Sequence, residues 1–372
     1  MKRQTEKGTV VMSDFSRREF IEASIAAAVG TMLPASALAM SQDVDPERKV
    51  IDAWGHVSLP RFFSAEDYIG ELDSNHAEAG VAGTAFTCPD LTELSRALMK
   101  YPDRFRPIGL ALGKTPAERL EFISAQLDAG FTGIRLPAPM VAKEPEILDL
   151  VGKAGRAAYV EGNDGYRVAA RVLLNFLDKY PDAVACGTHF AGPTDAAIFG
   201  KEDLVRQLFR HPRFFVIFSR QGFMDPEVLK PWTFALIEEA GWDKVMYGSE
   251  FPVALWRDET FKSTQSWIDT VGLNPTPEER HKFYYQNVHD LFFKKRLPAY
   301  QIDPKWERRD LRSIAPVWLF QLQGVESHRG IDLPEETHRK ILERYLAAGG
   351  DAKIGSYRDF VTGLVINMAN KL

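Results

Sequence analysis

Val50-Ile51-Asp52-Ala53-Trp54-Gly55-His56-Val57 is a short apolar run that ends in polar chemistry. Two β-branched residues followed by alternation read as a buried strand over 49–54, whose C-terminal end presents side chains into an open site. Working outward, similar short runs recur at 84–88, 107–112, 133–136, 157–160, 184–188, 214–218 and 245–248, for eight strands in all. Segments with helical apolar periodicity lie between them, at 65–79, 116–129, 144–154, 166–180, 201–210 and 226–240, each long enough for a crossover connection. Eight strand-plus-helix units in about 250 residues are the pattern of a (β/α)8 TIM barrel. The competing architecture is an open doubly wound sheet, but no Gly-rich phosphate turn follows the first strand.

The chain has 372 residues, 45% of them hydrophobic, and a formal net charge of −5. That balance allows a large core and offers no basic stripe for nucleic acid, so the expected partner is a small-molecule substrate. Residues 1–39 are set apart. Ser16-Arg17-Arg18-Glu19-Phe20-Ile21 reads as a twin-arginine export motif, an Ala-rich stretch from Ile21 to Leu33 follows, and Ala37-Leu38-Ala39 supplies a cleavage site. The expected address is the periplasm, reached through the twin-arginine export machinery after folding. The apolar stretch contains Glu22 and is short for a membrane span. Two cysteines, Cys88 and Cys186, fall on strands two and six and read as separate buried thiols. Beyond the barrel (40–294), residues 295–372 read as a packed helical C-terminal extension with an apolar run at 315–320 and helical stretches at 335–348 and 356–369. Its two expected roles are to cover the barrel or to form a homodimer contact.

Several segments carry a family likeness. Asp52-Ala53-Trp54-Gly55-His56 resembles the Asp-x-His-x-His signature of the amidohydrolase-2 branch of the amidohydrolase superfamily, with Trp54 in place of the first histidine. Tyr101-Pro102-Asp103-Arg104-Phe105, Ala129 to Leu136, Tyr247-Gly248-Ser249-Glu250-Phe251-Pro252 and Gln286-Asn287-Val288 are similar to that family's phrases in the same order, over about residues 49–294. The resemblance implies a metal-dependent hydrolase-like barrel. In that family two strand-one histidines, a strand-five histidine and a strand-eight aspartate hold a divalent metal, and a strand-six histidine does acid–base work. Carried over position by position, His56, Glu161 and Glu250 become the candidate ligands for zinc or manganese, with Trp54 unable to ligate.

In such a barrel the C-terminal ends of different strands converge on one mouth. His189 and Glu250 are the candidate catalytic pair, since histidine is the commonest acid–base group near neutral pH and a carboxylate can orient it or activate water. Arg135 on strand four and Arg220 beyond strand seven are candidate clamps for a substrate carboxylate; each has a buried ion pair as its plainer role. Trp54 is read as packing against a flat substrate. The expected activity is hydrolysis of a small carboxylated or cyclic lactone, amide or ester. Decarboxylation, hydration and an inactive small-molecule-binding barrel are the alternatives. The resemblance includes a branch in which a lactonase works without metal, so metal-assisted and metal-free chemistry both stand open.

Overall fold

The structure is a computed structural model and describes residues 48–58, 64–84, 89–162, 164–254 and 259–306. The chain divides into two units, Met1–Asp43 and Val44–Leu372, and all the described residues belong to the second. The export motif, Cys88 and the expected elements between 307 and 372 lie outside the described residues.

Eight strands form one parallel sheet in sequence order. They are β1 (Val50–His56), β2 (Ala77–Gly83), β3 (Phe105–Leu110), β4 (Gly133–Pro137), β5 (Ala157–Glu161), β6 (Val184–Gly187), β7 (Phe214–Phe218) and β8 (Val245–Tyr247). Helices including Ala65–Ser74, Leu91–Lys100, Pro116–Asp128, Glu146–Lys153, Ala170–Lys179, Asp203–Arg210 and Pro226–Ala240 alternate with them. The result is a nearly closed (β/α)8 barrel. A parallel sheet clothed in helices buries both faces of its strands, and all seven residues of β1 are buried. One apolar layer fills the space between sheet and helices. A smaller one, with Ile51, Trp54, Ala79, Ile108, Tyr159, Cys186, Ile217 and Met246, fills the barrel interior.

The first strand and the segment that follows the last meet through specific bonds. His56 N donates to Phe251 O at 2.8 Å, and Glu250 N donates to Trp54 O at 2.9 Å. These bonds bring the end of β1 against the segment that follows β8.

β1 departs from simple alternation. Its register against β2 slips between Asp52 and Gly55, so that the two strands lose step there. A bulge of this kind re-aims side chains at a barrel rim. Here Trp54 joins Ile51 and Ala53 in the interior layer.

The second strand lies at Ala77–Gly83, ahead of the expected 84–88, of which only Thr84 is among the described residues. Ala-Glu-Ala-Gly-Val-Ala-Gly has little β preference of its own, and the helical pattern read over 65–79 runs into it. The helix in fact stops at Ser74, and His76 follows in a left-handed conformation, φ 55°. Small residues are needed in this strand. A Cβ on Gly80 would lie 2.3 Å from the Tyr68 hydroxyl oxygen, and one on Gly55 would lie 2.6 Å from the same ring, so Tyr68 reaches the sheet only because both positions lack one. The remaining strands fall within a few residues of their expected places, β7 at the expected residues.

Of the extension, residues 295–306 are described. Tyr300 N bonds Ala129 O, Ile302 N bonds Ser95 Oγ, and Trp306 packs edge-on against Phe122 with ring centres 4.6 Å apart, so this segment straps two outer helices. Cys186 is a free, buried thiol inside the barrel, and burial pushes its pKa up.

Candidate active site

Four strand ends meet at the mouth. His56 closes β1, Glu161 closes β5, His189 follows β6 and Glu250 follows β8. His189, Arg220 and Glu250 all adopt left-handed backbone, with φ of 54°, 67° and 55°, and His189 begins a run of three such residues ending at Ala191. Such conformations cost a residue with a Cβ roughly 1–3 kcal/mol; they persist where surrounding structure holds them and cluster at functional sites. The turn after β6 is held by Gly192, whose carbonyl accepts from Gly165 N, and by Trp232, whose indole N–H donates to Phe190 O at 2.8 Å.

The polar groups form a connected chain. The Nε2 of His56 lies 3.3 Å from Glu250 Oε1, and the Nε2 of His189 lies 3.1 Å from Glu250 Oε2. An ionised Glu250 can accept one imidazole N–H on each oxygen. On its other side His189 Nδ1 lies 3.6 Å from Glu161 Oε1, beyond a direct hydrogen bond but within reach of a bridging water. Arg135 donates from Nε and Nη2 to Glu161 Oε2 at 3.0 and 2.7 Å, and Arg220 Nη1 lies 3.7 Å from Glu161 Oε1.

Burial and charge set the ionisation. Burial pushes Glu250 upward, but His189 and His56 outweigh it and hold the carboxyl well below its ordinary value. His56 moves down to about 4, first because it is buried and then because Arg135 and His189 stand near, against the pull of Glu250. Near neutral pH this is a neutral imidazole donating to a carboxylate. Glu161 is also raised by burial and brought below its ordinary value by Arg135, His189 and Arg220.

A cavity of about 610 Å³ opens here, lined by Glu161, Gly162, His189, Gly192, Pro193, Arg220, Phe223, Met224, Asp225 and Val228. Its size suits a small organic ligand. His189, Glu161 and Arg220 are thus on its wall. Glu250 and His56, 2% and 3% exposed, lie behind His189.

Trp54 sits deeper still. It is fully buried, its ring centre 5.0 Å from that of His56, 5.4 Å from Tyr159 and 6.5 Å from His189, and the Arg135 guanidinium lies 5.2 Å over its face. The two arginines consequently differ. Arg135 is engaged by Glu161 and by the indole, whereas Arg220 is part of the cavity wall. The Arg220 guanidinium also lies 5.1 Å over the Phe223 ring.

The residues between Phe223 and Val228 were not singled out by the sequence. Their signal was position alone: Gln221-Gly222-Phe223-Met224-Asp225-Pro226 follows a barrel strand, where loops build sites.

These donors do not fit a divalent cation. The first ligand position carries an indole, which cannot ligate. Glu161 is held by one guanidinium and approached by another, both repelling a second cation nearby. Both Glu250 oxygens face imidazole nitrogens, and among the described residues no three His, Cys, Asp or Glu side chains converge on a common metal position.

The sequence matches the model of the amidohydrolase family over residues 45–294. Among solved structures it is similar to one described as a probable 2-pyrone-4,6-dicarboxylic acid hydrolase from Acinetobacter baumannii, solved with citric acid bound. The two are 18% identical over 65% of this chain and 98% of that one, with a TM-score of 0.51. A protein of like description from Pseudomonas putida shares 20% identity over 65% and 97%, TM-score 0.50. An amidohydrolase from Burkholderia multivorans solved with bound zinc shares 13% over 65% and 98%, TM-score 0.51. No curated protein sequence matches. At these identities the solved structures share the fold, while the family match spans the barrel from before β1 to residue 294, and on that match the chain belongs to the amidohydrolase family.

Proposed function

We propose that the protein is a hydrolase that opens a small carboxylated lactone, or a related cyclic ester, by metal-independent acid–base chemistry. The observation that carries the reading is the His189–Glu250 pair. A buried carboxylate lies 3.1 Å from the Nε2 of a histidine whose ring forms the cavity wall, and its Nδ1 lies 3.4 Å from Thr188 Oγ1 and 3.6 Å from Glu161 Oε1; we read the imidazole as donating from Nε2 to the carboxylate and taking its proton at Nδ1. That is a base held in one tautomer by an orienting carboxylate, the logic by which a histidine is prepared to take a proton.

In this reading a water near His189 Nδ1 gives up a proton to it as its oxygen attacks the carbonyl carbon. Arg220 stabilises the charge that develops on the carbonyl oxygen or holds the substrate carboxylate. Collapse breaks the ring C–O bond, and the proton returns from His189 to the leaving oxygen, giving a hydroxy acid. Glu161 positions Arg135 and limits the free motion of Arg220. The hydrolases of pyrone dicarboxylate act, by their description, on a carboxylated cyclic ester, the class that an arginine beside a base accommodates.

The test is turnover of a panel of carboxylated lactones by purified protein. His189→Ala should lower kcat/KM by about 10² to 10⁴-fold, the usual worth of a general base. A panel turned over equally by the variant, or by neither protein, removes the reading.

A further inference from the structure

Asp52 takes no part in the chemistry above and lies away from the cavity wall, yet it is fully buried and accepts four hydrogen bonds. Its Oδ1 accepts from Ser249 N at 2.8 Å and from Trp54 N at 3.1 Å. Its Oδ2 accepts from Ser249 Oγ at 2.6 Å and from the Tyr68 hydroxyl at 2.7 Å. Burial pushes the carboxyl above its ordinary value, and the bonds from Ser249, Tyr68 and Trp54 act against that rise. Four donors directed at its two oxygens define a place for an acceptor-only group, which is an ionised carboxylate.

These bonds enclose Glu250. The residue before it gives both its amide and its hydroxyl to Asp52, and the same hydroxyl oxygen then accepts from Phe251 N at 3.0 Å. Glu250's own amide bonds to the carbonyl of Trp54, whose amide in turn bonds Asp52. Glu250 is thereby held at φ 55° by neighbours that all refer back to one carboxylate. Tyr68 arrives from the helix Ala65–Ser74 through the space left by Gly55 and Gly80, which ties the arrangement to the outer layer.

We propose that Asp52 is a positioning residue: through Ser249 and Trp54 it fixes the backbone of Glu250 so that its two oxygens meet His56 and His189. This rests on the reading of His189 as the base and extends it one step inward. Side-chain position within about half an ångström decides how well such a pair works, so a relaxed Glu250 backbone weakens the base even in a folded enzyme. Asparagine at this position has nearly the same shape but turns an NH2 group toward two of the four donors.

The experiment uses the full-length protein with Asp52→Asn, Ser249→Ala and Tyr68→Phe, each also made in a Glu250→Gln background. The readouts are lactone kinetics, melting temperature, and the imidazole N–H resonances of His56 and His189 in histidine-labelled protein. Asp52→Asn should lower kcat about tenfold or more with KM changed less than about twofold, and should shift or broaden both resonances. In the Glu250→Gln background it should lower kcat no further, because residues acting as a unit are not additive. Ser249→Ala and Tyr68→Phe should move the same readouts less, and they carry the test if Asp52→Asn does not fold. A lowered melting temperature with kcat and resonances unchanged overturns the proposal, as does an equal loss of kcat with and without the Glu250 carboxylate. If the wild type turns over no lactone, the functional reading fails while the resonances still judge the role of Asp52.

Discussion

Arg135 and Arg220 carry the same charge and both approach Glu161, yet they are placed differently. Arg135 makes two bonds to Glu161, lies over the Trp54 ring and is 8% exposed, so removing it takes both direct hydrogen bonds from a half-buried carboxylate and leaves a space against the indole. Arg220 stands 3.7 Å from the other oxygen of Glu161 and forms part of the cavity wall. Accordingly, Arg135→Ala should lower the melting temperature measurably, whereas Arg220→Ala should leave it nearly unchanged and raise KM for a carboxylated substrate about tenfold or more. Arg220→Lys should recover little, since an ammonium lacks the paired donors that match a carboxylate. Equal melting temperatures for the two alanine variants, with equal KM values, would contradict this division. At this scale the sequence is informative where chemistry is borne by a strand end. His56, His189 and Glu250 stand out by residue type and place, and they meet. Asp52, Tyr68 and Ser249 do not stand out as a network, because Tyr68 lies 16 positions and Ser249 197 positions from Asp52, which leaves no local pattern.

Among elements, β7 is readable because Phe214-Phe215-Val216-Ile217-Phe218 is both apolar and β-favouring, whereas β2 is made mostly of alanine and glycine and is defined by what must pass beside it. The bulge in β1 is equally hidden, since two-residue alternation through Asp52, Trp54 and His56 reads as an unbroken strand. Space for the resulting indole comes from its neighbours. A Cβ on Gly83 would stand 2.9 Å from Trp54 Cη2, and one on Gly248 would stand 3.0 Å from Trp54 Cβ. Gly83→Ala should therefore destabilise the protein by about 1–3 kcal/mol, the usual cost of overpacking, and Gly83→Ala with Trp54→Phe should recover part of it. Denaturant unfolding checks both, and a Gly83→Ala variant as stable as the wild type would mean that the ring has room to move. Just before β8, Lys244 is 8% exposed and donates from Nζ to Phe209 O at 2.6 Å. Burial pulls its pKa down to about 8 from the ordinary 10.5. Between those two values the unfolded chain binds more of this proton than the folded one, so the contribution of Lys244 to stability rises with pH across that window. The pH dependence of unfolding across that window should lose this rising contribution in Lys244→Met, and an identical slope in the two proteins would rule out the assignment.

For the molecule as a whole, the alternation of strands and helices specifies the barrel, and the family's short phrases specify where its mouth lies. What neither specifies is the use made of that mouth. The positions at which the resembled arrangement offers histidines and an aspartate to a metal here carry an indole, one histidine, His56, and two carboxylates held by arginines and imidazoles, with a guanidinium over the indole face. On the proposed reading, positive charge and proton transfer at this mouth come from Arg220 and His189. Elemental analysis of protein purified without added metal, combined with lactone hydrolysis before and after dialysis against a chelator, tests it most directly. The expected result is well under one zinc or manganese per chain and unchanged kcat/KM after dialysis. Stoichiometric metal that leaves with chelator, with activity lost and then restored as the metal is returned, would contradict it.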